Sequence, residues 1–128
     1  MSDIRNRSVM IVDDVETNIF ALSCYLETLD IDVIVAKNGE EAIKLLEDGA
    51  RPGIILLDMM MPVMDGYETL KILKRSNRLK EIPVIAVTAR AMKGDKEKCL
   101  EAGAWDYISK PIDLKLLNEK ITKLIGQA

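Results

Sequence analysis

The sequence predicts an α/β fold, a parallel sheet of five strands with helices on both faces. Three observations predict it. Short, β-branched apolar runs alternate five times with segments of helical periodicity. Three of the runs are apolar throughout, as expected of strands covered on both faces. Polar residues gather just after the runs, where parallel strands all end on one edge.

The elements follow in order. "SVMIV" (Ser8–Val12) is the first strand, and Leu22, Tyr25, Leu26 and Leu29 recur at helical spacing after it. "DVIVA" (Asp32–Ala36) is the second. Asn38 followed by Glu41 forms a capping-box pattern, opening a helix with Ala42, Leu45 and Leu46 on one face. "GIILL" (Gly53–Leu57) is the third strand. Asp65 and Glu68 repeat the capping pattern before Leu70 and Leu73. "PVIAV" (Pro83–Val87) is the fourth, with Pro83 at its first position, where a missing donor is tolerated. A short helix over Asp95–Ala102 ends at Gly103, a C-cap residue. "WDYIS" (Trp105–Ser109) is the fifth strand, and Asp113 caps a last helix with Leu117, Ile121 and Leu124 inward.

A length of 128 residues suits one domain with one core, spanning residues 1–128. With 48% hydrophobic and 30% charged residues, the composition is that of a soluble globular chain. A net charge of −3 argues against nucleic-acid binding. The basic stretch Lys71–Lys80 lacks interleaved aromatics, and reads as a solvated helix end and loop. No apolar segment is long enough for a signal peptide or a membrane helix. Cys24 and Cys99 lie far apart in helical patterns, and idle thiols point to a cytoplasmic location. Histidine is absent, which excludes an imidazole base and the usual zinc sites.

Asp13 and Asp14 follow the first strand and Asp58 the third, the fourth ends at Thr88, and the fifth runs into Lys110. A flavodoxin-like strand order of 2-1-3-4-5 would bring the three carboxylates together, with Thr88 and Lys110 flanking them. Singly, each has an ordinary explanation: a turn-forming Asp, a β-forming Thr, a solvated Lys. Together, three carboxylates repel and call for a positive occupant. Mg²⁺ fits an all-oxygen donor set completed by a phosphate. Lys110 offers a point charge and Thr88 a hydroxyl to the same phosphoryl oxygens. The acceptor would be the carboxylate itself, which forms an acyl phosphate.

The segments "MIVDDVETN", "ILLDMMMPVMDGYE", "VIAVTA" and "GAWDYISKPID" resemble the receiver domain of two-component response regulators, single-domain or of the hybrid-kinase type. The resemblance runs from Ser8 to Ile125. It implies that Asp58 is the phosphoacceptor. Asp14, Asp58 and the backbone carbonyl of Met60 would ligate Mg²⁺, with Asp13 acting through water. Lys110 would pair with the phosphoryl group and, before phosphorylation, with Asp58. The Lys110–Pro111 bond would be cis. Thr88 and Tyr107 would form a conformational switch. A receiver of this kind catalyses its own phosphorylation and dephosphorylation but is not a turnover enzyme. With no histidine here, the phosphohistidine donor must be a partner, a histidine kinase or histidine phosphotransfer protein. Its helices would dock near Asn18, Ile19 and Leu22, of which Leu22 is expected in the core and Ile19 is left open. An effector would read the face of helix four, strand five and helix five. Neither nucleic acid nor membrane is expected as a direct partner.

Met60 and Arg90 occupy positions that in this family rim the site and tune acyl-phosphate hydrolysis. Trp105 departs from the small or polar residue usual there. It is expected to cover the fourth helix, an exposed anchor being the alternative. An aspartyl-intermediate phosphohydrolase would usually place an acid two residues after the nucleophile, where Met60 stands. A flavin or nucleotide module would need phosphate-binding donors in the first loop, where "DDVET" presents carboxylates. A receiver-like scaffold that is never phosphorylated would have lost part of the set, and none is missing.

Overall fold

In the computed structural model, residues 7–61, 64–88 and 95–125 are described. Five strands alternate with five helices: β1 (Ser8–Val12), α1 (Glu16–Thr28), β2 (Asp32–Ala36), α2 (Gly39–Glu47), β3 (Ile54–Asp58), α3 (Gly66–Arg75), β4 (Val84–Thr88), α4 (Asp95–Glu101), β5 (Asp106–Ser109) and α5 (Leu114–Ile125). All strand pairs are parallel, in the order β2-β1-β3-β4-β5. This is the flavodoxin-like arrangement that the strand ends predicted.

Side-chain alternation divides the core in two. Val9, Ile11, Ile54, Leu56, Ile85 and Val87 pack on one face against Leu22 and Leu26 of α1 and Leu117 and Ile121 of α5. Met10, Val12, Ile55, Leu57, Val84 and Ala86 pack on the other against α2, α3 and α4. β3 and β4 are buried at every position because both faces are covered. Each fully buried Leu or Ile contributes about 2 kcal/mol by leaving water. No helix among the described residues is long and apolar enough to cross a membrane.

The caps follow the sequence closely. The Asn38 side chain accepts from the Glu41 N–H at 2.8 Å, and Asp65 accepts from the Glu68 N–H at 3.0 Å. The return bond of the first box goes one residue further back: the Glu41 carboxylate takes the Lys37 N–H at 3.1 Å. Asp113 accepts from the N–H groups of Lys115 and Leu116. Gly103 has φ +114°, the left-handed geometry of a C-cap that a side chain would strain.

Three strands differ from expectation at their boundaries. β4 runs from Val84 to Thr88, so Pro83, with no N–H to donate, lies just before it rather than at its first position, and Gly53 likewise precedes β3. Asp58 is the last residue of β3 rather than the first after it, so the sheet itself holds this carboxylate. β5 starts at Asp106, and Trp105 lies just before it with 48% of its surface exposed. The small Ala104 takes the buried place beside α4, so Trp105 is a surface residue rather than a cover for that helix.

Candidate functional site

Backbone pairing continues one residue past three strand ends and fixes the floor of the site. The Asp13 N–H donates to the Ala36 carbonyl at 3.1 Å, Met59 to Val87 at 3.0 Å, and Lys110 to Thr88 at 2.8 Å. Val12 pairs with Leu57 and Thr88 with Ser109, so these ends are level across the sheet.

Asp13 and Asp58 each use one oxygen locally. Asp13 Oδ1 accepts from the Val15 N–H at 2.8 Å, and Asp58 Oδ1 from the Met60 N–H at 2.9 Å. Both close Asx turns that bend the chain away from its strand. The turn role and a chemical role therefore coexist, because the second oxygen of each remains free of the turn. Asp58 Oδ2 takes the Lys110 ammonium at 3.1 Å, and Asp13 Oδ2 lies 3.5 Å from the Asn18 amide nitrogen.

Asp13, Asp14 and Asp58 offer carboxylate oxygens that all lie within 4.8 Å of one another. Asp13 and Asp58 are buried, while Asp14 is exposed. Two full charges about 5 Å apart repel by roughly 3 kcal/mol at an effective dielectric near 20. Among the described residues the ion pair into this cluster is Lys110–Asp58. Among the described residues, one ammonium against three carboxylates leaves two negative charges uncompensated, which matches a divalent cation. The donors are hard oxygens, suited to Mg²⁺ rather than to zinc or copper.

Burial pushes the Asp58 carboxyl above the usual carboxylate range. The Met60 N–H and the Lys110 ammonium pull it back, and the charge of Asp13 pushes it up again. The net direction is upward.

Thr88 Oγ1 is buried without a hydrogen-bond partner among the described residues. A bond of that kind left unmade costs about 1–3 kcal/mol. Tyr107 is half-buried and pairs with Ala86 in register, on the sheet face shared by Thr88 two residues on. Its ring lies 5.7 Å from the Lys96 ammonium and 5.6 Å from that of Lys120.

Met60 is 68% exposed on the rim. Met59 and Met61 are buried in the core, as packing residues. Arg90 and Pro62 lie outside the described residues. The Lys110–Pro111 peptide is cis. Beside Lys110 runs a groove of about 520 Å³ lined by Asn18, Ala21, Leu22, Pro111 and Leu114 among others. Leu22 is buried, and Ile19 packs half-buried against the same core, so core packing accounts for both. The exposure of Phe20, at 71%, has no periodic signal in the sequence beyond its place between the apolar stripes of α1. The Asn18–Asp13 contact was hidden for a similar reason, since Asn on a first helical turn is usually solvated.

A sequence profile described as the response regulator receiver domain matches residues 9–122. The chain belongs to the response regulator receiver family. The polar-differentiation response regulator DivK of Brucella anthropi is 43% identical over 122 residues, covering 95% of this chain and 98% of that protein. Among solved structures, the receiver domain of a Pseudomonas aeruginosa sensor histidine kinase, with magnesium coordinated in its active-site cleft, is 31% identical with a TM-score of 0.86. That match covers 95% of this chain and 99% of the other. The Saccharomyces cerevisiae receiver domain of Ssk1, in complex with the histidine phosphotransfer protein Ypd1, is 30% identical with a TM-score of 0.87. Here the coverage is 94% of this chain and 90% of the other. This protein is thus a receiver domain of a two-component response regulator, in a family that generally does not act by turnover. In this receiver the acidic cluster, the lysine and the unpartnered threonine stand on the edge of the sheet where such folds bind ligands.

Proposed function

We propose that this receiver takes a phosphoryl group onto Asp58 from a partner's phosphohistidine and acts as a phosphorylation-dependent switch. The observation that carries the reading is the Lys110–Asp58 contact of 3.1 Å inside a cluster of three carboxylates. A buried acceptor, a point charge and an acidic metal site are the parts phosphoryl transfer requires.

In the transfer, an Asp58 oxygen forms a bond to phosphorus as the donor's N–P bond breaks, and the electron pair goes to the imidazole nitrogen. Lys110 follows the charge from the Asp58 carboxylate onto a phosphoryl oxygen. Thr88 Oγ1 donates to another, which satisfies its missing bond. Asp13, Asp14, Asp58 and the Met60 carbonyl would hold Mg²⁺, with Asp13 acting through water. When bound, the ion supplies charge neutralisation for the phosphoryl oxygens. The same groups assist attack by water on the acyl phosphate, so the receiver promotes both its own phosphorylation and its own dephosphorylation.

Movement of Thr88 toward the phosphoryl group would let the Tyr107 ring turn inward, and an effector protein would read the face of α4, β5 and α5. The donor, a histidine kinase or histidine phosphotransfer protein, would approach over the start of α1 near Asn18, with Val15 and Met60 as exposed apolar residues next to the acidic cluster in sequence. The magnesium of the Pseudomonas receiver and the phosphotransfer partner of the yeast one support these assignments. Residues 1–128 act as one receiver unit in this reading. It works in the cytoplasm, where the exposed thiol of Cys24 stays reduced.

The test is intact-mass analysis after incubation with acetyl phosphate. A phosphoryl adduct is expected with Mg²⁺ and not with chelator, and is expected to be absent in Asp58→Asn. An Mg²⁺-independent adduct, or one that survives in Asp58→Asn, would overturn the reading.

A further inference from the structure

Tyr107 sits on β5, the edge strand of the sheet, and two ammonium groups flank its ring from two different helices. Lys96 comes from α4 and stands 5.7 Å from the ring centroid, while Lys120 comes from α5 and stands 5.6 Å away. Both lie within the roughly 6 Å over which a cation and a ring attract.

Lys120 is not a loose surface charge. Its ammonium is 3.0 Å from Asp106 Oδ1, and the two side chains are only 19% and 25% exposed. The same Asp106 oxygen accepts from the Tyr107 N–H at 2.8 Å. The contacts close a loop: ring to ammonium, ammonium to carboxylate, carboxylate to the backbone of the ring's own residue.

The faces of the sheet make this loop directional. Asp106 pairs in register with Ile85, on the α1 and α5 face, and Tyr107 pairs with Ala86, on the α2, α3 and α4 face. Lys120 therefore reaches around the edge strand from one face to a ring on the other. Two like charges beside one ring repel each other, and the Asp106 carboxylate offsets that repulsion on the Lys120 side. A ring turned inward would give up both cations, whereas the Lys120–Asp106 pair could persist.

We propose that Lys120, anchored by Asp106 and seconded by Lys96, is a positioning residue that holds the Tyr107 ring in its resting place and sets how readily the switch turns. The inference rests on the switch reading given above. Losing one such contact is expected to raise the population of the turned ring roughly threefold.

The test uses the full chain with ¹³C-ring-labelled tyrosine, which leaves the ring's charge distribution unchanged. Tyr107 signals are assigned by Tyr107→Phe and followed with and without acetyl phosphate and Mg²⁺. In unphosphorylated Lys120→Met the Tyr107 signal should move part of the way toward its phosphorylated position. Lys120→Arg, which keeps the charge and the pair, should stay near wild type. Asp106→Asn keeps an acceptor for the Tyr107 N–H but loses the ion pair, and should move in the same direction as Lys120→Met. It also serves as the second variant should Lys120→Met fail to fold. If both variants match wild type before phosphorylation while phosphorylation still moves the ring, the clamp is overturned and the switch reading stands. If phosphorylation leaves the ring unmoved in wild type, the switch reading fails and the clamp falls with it.

Discussion

Lys110 and Asp58 lie 52 residues apart in sequence and 3.1 Å apart in space. β5 delivers the ammonium and β3 the carboxylate to the same edge. Lys110 is 28% exposed, so its pair with the buried Asp58 falls between a surface pair of little worth and a fully buried one. Lys110→Met should destabilise the protein by about 1–2 kcal/mol, since it leaves a buried carboxylate without its cation. It should also slow phosphorylation by acetyl phosphate. Denaturant melts and adduct formation rates check the two effects separately.

The raised pKa of Asp58 makes a prediction about pH. The folded state binds the Asp58 proton more tightly than the unfolded chain, whose carboxyl titrates near 3.8. Ionising the group therefore costs stability. That cost is absent below the unfolded pKa, grows as pH rises, and is complete above the folded pKa. Asp58→Asn should melt higher than wild type at neutral pH without Mg²⁺. The difference in Tm should shrink toward zero as the pH falls below 3.8. A difference independent of pH would rule out this origin.

The uncompensated charge of the cluster makes a prediction about metal. Mg²⁺ should raise the Tm, by an amount equivalent to about 2.7 kcal/mol at a hundredfold excess over Kd. Asp14→Asn should stabilise the metal-free protein and weaken Mg²⁺ binding. Thermal melts in Mg²⁺ and in chelator give both values. A wild-type curve insensitive to Mg²⁺ would count against the site.

Gly66 supports the loop that carries Met60. A Cβ there would stand 2.6 Å from Met59 Cα and 3.0 Å from the Asp58 carbonyl oxygen. Backbone cannot yield as a side-chain tip can, so Gly66→Ala should cost about 1–3 kcal/mol. Because the displaced backbone is that of Asp58 and Met59, Mg²⁺ affinity should fall as well. A calorimetric titration alongside the melt would separate this from a purely structural defect.

The fold was legible because its signals are local. The buried runs, the Asn38, Asp65 and Asp113 caps and the Gly103 stop all lie within a few residues of what they control. Asp13, Asp14, Asp58, Thr88 and Lys110 were legible as candidates because each follows or ends an apolar run. Trp105 was misjudged because one residue decides it: with Ala104 buried and β5 beginning at Asp106, the indole falls outside the strand's alternation. The Lys96 and Lys120 contacts with Tyr107 were not legible. They join α4, α5 and an edge strand through side-chain reach, which no spacing in the sequence encodes.

The most direct test of the central claim locates the phosphoryl group. The receiver is incubated with Mg²⁺ and acetyl phosphate, the adduct is trapped by borohydride reduction, and the product is mapped by peptide mass spectrometry. Conversion of residue 58 to homoserine is expected, dependent on Mg²⁺ and lost in Asp58→Asn. Trapping at another residue, or a reduced product at position 58 formed equally well in chelator, would contradict it.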